Sequence, residues 1–277
     1  MGRLEGKVAF VTGAARGQGR SHAVRMAQEG ADIIAIDLVS QIDTVPYAMA
    51  SPDDLAETVR QVEALDRRIV AREADVRDFG ALSAAVDAGV AELGRLDVVS
   101  ANAGVFSHAT AEELTDAAWD DMIDVNLKGV WHTAKAAIPH LRAAGGGSIV
   151  ITSSTAGLKG FPNFVHYVAS KHGVVGVMRT LALELAPDLI RVNTVHPTSV
   201  DTDMIQNQAM YDLFAPDYPP GTAGRDVFRE RMGGMNALPV PWIEAVDISN
   251  AVVWLASDEA RYVTGIQLPV DAGSTQK

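Results

Sequence analysis

Along the chain, short runs of apolar residues alternate with longer stretches whose apolar positions recur at helical spacing. The runs "KVAFV", "DIIAI", "RIVARE", "LDVVSA", "GSIVIT", "LIRVNTV" and "GIQLPV" are rich in β-branched residues and read as strands. Amphipathic segments separate most of them, and that alternation predicts parallel strands joined by crossover helices. The runs are nearly continuously apolar, as strands are when helices cover both faces of a sheet. The expected fold class is α/β, with a doubly wound, mostly parallel sheet flanked by helices.

Residue chemistry marks several boundaries. Ser51 as N-cap, Pro52 at the first helical position and Asp53 and Asp54 near the positive end start a helix predicted to run to about Asp66. Gly30 is expected to cap the end of the first helix, and Gly145 to Gly147 form a glycine turn before a strand. The 277 residues contain no Ser/Gly/Pro-rich linker, so one domain over 1–277 is expected.

Two segments break the rhythm. Asp37 and Asp75 are 38 positions apart, more than a strand end, a tight connection and one helix require, and the surplus lies at Leu38 to Ala50. A loop of that length is either functional or disordered. From Asp201 to about Val240, Met204, Met210, Tyr211, Phe214, Phe228, Met232 and Met235 stand among prolines and glycines, which suggests a mobile apolar flap over a substrate. The alternative is a surface excursion with ordinary satellite packing.

Composition narrows the function classes. A net charge of -12 and a pI near 4.9 argue against nucleic acid and anionic membrane as partners, since an acidic surface repels phosphate. Without cysteine there is no disulfide, thiolate metal site or cysteine nucleophile, and the cytoplasm is the expected location. The N-terminal apolar run is too short for a signal peptide, Gly6 stands where a myristoylation signal wants Ser or Thr, and no apolar run reaches membrane-spanning length. The seven histidines show no paired ligand spacing beside carboxylates, so no metal is expected, and His166, His172 and His196 read as packing or surface residues.

"VTGAARGQGR" follows the first strand and opens the first helix, placing Gly13, Gly17 and Gly19, with Arg16 and Gln18, where backbone amides can approach a pyrophosphate. Asp37, 24 residues after Gly13, ends the second strand, where an acid accepts hydrogen bonds from a ribose diol and repels a 2'-phosphate. NAD is therefore preferred over NADP, with Arg16 as the competing signal. After the third strand, Asp75 and Val76 suit an adenine contact, although Asp75 reads equally as a helix-start residue. "ANAG" puts Asn102, Ala103 and Gly104 after the fourth strand, small residues where a cofactor backbone passes.

Tyr167 and Lys171 are four apart in "YVASK", hence on one helical face, and Ser154 in "ITSSTAG" lies 13 residues before Tyr167. A free tyrosine has a pKa of about 10, and lowering it by about 2 to 3 units requires roughly 3 to 4 kcal/mol of preferential phenolate stabilisation. Lys171 and a nearby nicotinamide cation are the expected sources.

Over essentially its whole length the chain resembles the classical short-chain dehydrogenases/reductases: Thr12 and Gly13 with Gly17 and Gly19, then Asn102-Ala103-Gly104, Asn126, Ser154, Tyr167 and Lys171 stand in that family's order. The resemblance implies a Rossmann fold in which Tyr167 exchanges the hydroxyl proton and Ser154 hydrogen-bonds the substrate oxygen. It implies that Lys171 holds the nicotinamide ribose and that Asn126 supports a water in the proton relay. Two positions depart from the family pattern: Ala101 precedes Asn102, and Pro197-Thr198 replaces Pro-Gly, leaving Val200 and Thr202 for the carboxamide. The stretch from Gly2 to Leu38, with the insertion after it, is similar to the mycofactocin-associated, carveol-dehydrogenase-like branch. That similarity implies NAD kept between turnovers under the Leu38 to Ala50 insertion and a mycofactocin redox partner; the alternative is a solvated loop with free exchange. The family implies a homotetramer, with "AVDISNAVVWLASDEA" apolar enough to pack on a partner as well as on its own sheet.

Three other classes fit less well. A serine hydrolase wants glycines flanking its nucleophile, which Ser153-Ser154 lack. A sugar-nucleotide epimerase or dehydratase carries a differently spaced phosphate loop. A non-catalytic NAD-sensing regulator would have lost part of the Ser154, Tyr167 and Lys171 set. The substrate expected for the oxidoreductase is a hydrophobic secondary alcohol or ketone.

Overall fold

Each apolar run becomes a strand in the computed structural model, which describes residues 2–277. Strands β1 (Val8–Thr12), β2 (Asp32–Asp37), β3 (Ile69–Glu73), β4 (Val98–Ala101), β5 (Gly147–Thr152), β6 (Ile190–Pro197) and β7 (Gln267–Val270) form one sheet in the order β3-β2-β1-β4-β5-β6-β7. Every pairing among them is parallel, so the antiparallel allowance in "mostly parallel" is not used. The connections are α1 (Gly17–Gln28), α2 (Pro52–Glu63), α3 (Phe79–Leu93), α4 (Asp116–Ile123), α5 (Gly129–Ala143), α6 (Val165–Glu184), α7 (Gln208–Phe214), α8 (Arg225–Met232) and α9 (Ala245–Ala256).

Successive side chains of a strand point to opposite faces, and the sheet accordingly has two cores. On one face Phe10, Ile34, Ile36, Val99, Ile149 and Ile151 meet Leu82 and Val86 of α3, Leu141 of α5 and Met178 of α6. On the other, Ala9, Val11, Ile33, Ala35, Val98 and Val150 meet Met26 of α1, Val62 of α2 and Val252 of α9. The apolar stripe of α9 packs within the chain against α1 and the sheet.

Local signals place most boundaries. Ser51 and Asp54 form a reciprocal capping box: Asp54 N donates to Ser51 Oγ at 3.3 Å and Ser51 N to Asp54 Oδ2 at 2.9 Å. The helix ends at Glu63, short of the expected Asp66, because Asp66 adopts a left-handed φ of 56°. Gly30 follows α1 with φ of 94°, a conformation that favours glycine. The 201–240 segment carries α7 and α8, folded around Phe228, which is fully buried against Tyr211, Phe214 and Trp242.

The strand order reverses between β1 and β4. Their following connections depart to opposite sides, opening a crevice beyond the carboxyl ends of the strands. Thr12, Ala101, Thr152 and Pro197 end at that edge, so the segments after them converge there.

Candidate active site

The glycine loop after β1 is shaped by close approaches. Gly13 has φ of 67°, and a Cβ on it would lie 2.8 Å from Ala103 Cα; a Cβ on Gly19 would run into the Gly13 carbonyl. Thr12 Oγ1 accepts from Asn102 N at 3.1 Å and Ala103 N at 3.0 Å, and Asn102 Nδ2 donates back to Thr12 O at 3.1 Å. Those bonds lock the β1 and β4 ends together, with Gly104 next in the crevice wall.

α1 is left without a cap. Its N-cap, Arg16, is extended and makes no side-chain cap, and no acid stands in the first turn, whereas Ser51, Asp78 and Thr115 cap α2, α3 and α4. Gly17, Gln18 and Gly19 line the crevice, so the free amides and positive dipole end of α1 are turned to it. This is the arrangement a pyrophosphate fits.

Asp37 accepts from Ala15 N at 2.9 Å and Val39 N at 3.2 Å, which fixes the carboxylate while leaving lone pairs for a ribose diol. Arg16 is committed elsewhere: its guanidinium donates to Asp203 at 3.0 Å and to the Ala48 carbonyl at 2.5 Å. The competing reading of Arg16 as a 2'-phosphate ligand therefore loses to a clamp between loop segments. Asp75 receives Arg77 N and Nε, both at 2.8 Å, and Arg77 also reaches Asp121 at 2.7 Å. Asp78, not Asp75, caps α3, which removes the helix-start reading of Asp75. Leu38, Asp75 and Val76 line the crevice, as do Pro197, Val200 and Thr202 at its other end.

Ser154, Tyr167 and Lys171 come together at the end of β5 and the start of α6. Lys171 is buried; its ammonium donates to Thr152 O at 2.9 Å and sits 5.6 Å from the Tyr167 ring centroid. Burial pulls the Lys171 pKa down to about 8. Burial also pushes the Tyr167 phenol up, against the hydrogen bond of the Ser154 hydroxyl, which lowers it. Of the two expected sources of a lowered phenol, Lys171 does not outweigh desolvation by itself, and the nicotinamide cation is the other; one ammonium hydrogen goes to the Thr152 carbonyl and two remain. Asn126 occupies a π-helical turn, Asp124–Lys128, a local departure frequent at functional sites. Its Oδ1 accepts from Val105 N at 2.8 Å, and its Nδ2 donates to Val105 O at 2.9 Å and to Met122 Sδ. A side chain committed in this way shapes the loop after β4.

Beyond Tyr167 the crevice is lined by aromatic and thioether groups. Phe106 meets Tyr167 edge-on at 5.0 Å and Phe164 at 4.9 Å, and Phe161, Met204, Met210, Phe214, Met232 and Met235 complete the wall. The Leu38 to Ala50 insertion, without helix or strand, also lines the crevice through Leu38, Ile42, Tyr47, Met49 and Ala50. Gln41 Nε2 donates to the carbonyls of Ile42, Val45 and Tyr47 at 3.1 to 3.2 Å, and its Oε1 accepts from Met49 N at 3.0 Å. Ile42, Val45 and Tyr47 are buried, Thr44 bonds Asp121 at 2.7 Å, and Tyr47 Oη accepts from Phe106 N at 3.2 Å.

The model of the short chain dehydrogenase family matches residues 7–211. The chain belongs to the short-chain dehydrogenases. It is 53% identical over 279 residues to (-)-trans-carveol dehydrogenase of Rhodococcus erythropolis, with 100% of each chain covered. The crystal structure of carveol dehydrogenase from Mycobacterium avium in complex with NAD superposes with a TM-score of 0.98 at 58% identity, covering 100% of both chains. A short chain dehydrogenase from Mycobacterium paratuberculosis bound to NAD gives a TM-score of 0.91 at 49% identity over 100% of both. As a carveol dehydrogenase-like short-chain dehydrogenase, the protein is an NAD-dependent alcohol dehydrogenase. No helix among the described residues is long and apolar enough to cross a membrane.

Sequence reasoning missed Phe106, Phe161, Phe164 and the reach of Tyr47 as parts of this short-chain dehydrogenase's crevice. A signal existed for two of them: "GFPNF" lies between Ser154 and Tyr167, a segment that can only pass beside both.

Proposed function

We propose that this dehydrogenase interconverts a hydrophobic secondary alcohol and its ketone, with Tyr167 as proton donor and acceptor and Ser154 as the hydrogen-bond donor to the reacting oxygen. The observation that carries this is the meeting of Ser154, Tyr167 and Lys171 with a wall made of Phe106, Phe161, Phe164 and methionines. A largely apolar wall excludes water and favours apolar substrates, while the polar groups confined to one end orient the oxygen. Bound NAD supplies the hydride acceptor or donor. Lys171 lends its positive charge beside the phenol and holds the ribose next to it, and the glycine loop, the α1 amides and Asp37 fix the rest of the dinucleotide. The naming of two relatives for carveol agrees with a hydrophobic alcohol. A panel of alcohols tests it: activity confined to small, highly charged alcohols would contradict this assignment.

The braced Leu38 to Ala50 insertion supports a second part of the reading, that NAD is retained between turnovers and reoxidised in place by a redox partner such as mycofactocin. The folded 201–240 segment acts in it as the substrate flap. The measurement is the NAD released on denaturing protein purified without added cofactor, followed by turnover with excess NAD or with an artificial electron acceptor. About one NAD per chain and turnover only with the artificial acceptor are expected; NAD-free protein turning over briskly with added NAD would defeat it. Exposed Trp119 on α4, Trp131 on α5 and Leu183 on α6 support assembly as a tetramer, checked by light scattering of dilute protein, where a monomer is the contrary result.

A further inference from the structure

His196, on β6 beneath the reacting groups, is wholly buried. Its Nδ1 lies 2.7 Å from the main-chain carbonyl of Ser154, and its Nε2 lies 2.8 Å from Thr194 Oγ1. A carbonyl oxygen only accepts, so Nδ1 carries the proton; the neutral ring then accepts at Nε2, and the Thr194 hydroxyl donates there. Burial, opposed by the bond to Ser154 and reinforced by the nearby Lys171 charge, lowers the His196 pKa to about 4, so the ring stays in this neutral form at ordinary pH. The Ser154 carbonyl also receives Gly157 N at 2.9 Å, while Ser154 Oγ accepts from Ala156 N at 3.1 Å. The peptide that follows Ser154 is therefore held from the neighbouring strand, and its hydroxyl is held by the turn that this peptide begins.

We propose that His196 is a positioning residue: the chain Thr194 to His196 to the Ser154 carbonyl fixes the peptide plane that aims the Ser154 hydroxyl at the substrate oxygen. The inference rests on the assignment of Ser154 as the donor to that oxygen. A donor of this kind stabilises developing charge only when held within a few tenths of an ångström, and misplacement by about 1 Å costs on the order of 10²-fold in rate. Thr152 and Val195 are register partners, which puts Ser154 and His196 just past the paired ends of β5 and β6. His196 itself stands within β6, paired with Pro269 of β7, so the turn that carries Ser154 is held from the rigid part of the sheet.

The test is the single-turnover formation of reduced nicotinamide in NAD-loaded protein mixed with saturating alcohol. His196→Leu removes the donor, whereas His196→Asn keeps an N–H at the place of Nδ1. The leucine variant should react about 10- to 10²-fold more slowly, with KM and NAD content unchanged, and the asparagine variant should recover most of that loss. In a Ser154→Ala background His196→Leu should cost less than about twofold, because its effect passes through the missing hydroxyl. An equal loss in both backgrounds, or an asparagine variant that folds, binds NAD and is as slow as leucine, would overturn the proposal. If leucine prevents folding, Thr194→Val takes its place, with a smaller loss expected that again vanishes without the Ser154 hydroxyl; a loss that persists there overturns the proposal. Near-normal rates in Ser154→Ala alone would remove the assignment of Ser154, and the role of His196 with it.

Discussion

Two segments that line the crevice are built on different physics. The Leu38 to Ala50 insertion has no regular secondary structure, and its shape comes from one side chain, Gln41, bridging four backbone groups, with Ile42, Val45 and Tyr47 turned inward. The 201–240 segment has two short helices and an aromatic cluster of Tyr211, Phe214 and Phe228, closed by Trp242 just beyond it. The first is held by hydrogen bonds that satisfy an otherwise unpaired loop backbone; the second is held by buried apolar area. They meet at Arg16, which bonds Ala48 of one and Asp203 of the other. On the proposed reading, in which the first encloses NAD and the second the substrate, the contrast teaches that the two enclosures can be set separately on one sheet edge.

The largest effect expected tests the floor beneath both covers. Tyr167→Phe should lower turnover about 10²- to 10⁴-fold while leaving NAD content and the substrate cover intact; turnover near that of the native enzyme would remove Tyr167 from its role. Next, Phe228→Ala should cost about 3–5 kcal/mol within its cluster, seen as early loss of protection in α7 and α8 by hydrogen exchange and a raised KM for alcohol. If NAD is lost equally fast, the covers act as one unit and the comparison breaks. Gln41→Ala should cost about 1–3 kcal/mol, read as faster NAD release with little change in alcohol KM, the mirror image of Phe228→Ala. Smallest is Tyr47→Phe, which removes one hydrogen bond to Phe106 N worth about 0.5–1.5 kcal/mol. A several-fold rise in alcohol KM is expected because Phe106 packs on Tyr167, and accelerated NAD release with KM unchanged would place Tyr47 wholly on the cofactor side.

The apolar runs, the Ser51 cap, the glycine loop and the spacing of Ser154, Tyr167 and Lys171 all carried to the structure, because each depends on neighbours within about one element. The errors share the opposite property. Asp75 reads two ways in the sequence, and it is Asp78 that takes the cap of α3; α2 ends before Asp66 because that one residue turns left-handed. The flap's helices were hidden because their apolar positions are spread among glycines and prolines and cohere only around Phe228.

What the sequence by itself determined was the α/β layering, the crevice chemistry at the strand ends and the preference for NAD signalled by Asp37. Only the tertiary structure decided that Arg16 serves Asp203 and Ala48, that Lys171 donates to Thr152, that Asn126 braces Val105, and that His196 holds Ser154. The reason is physical. Helix and strand formation follow short-range periodicity, whereas the partner of a buried polar group is whichever donor or acceptor the packed chain brings within about 3 Å.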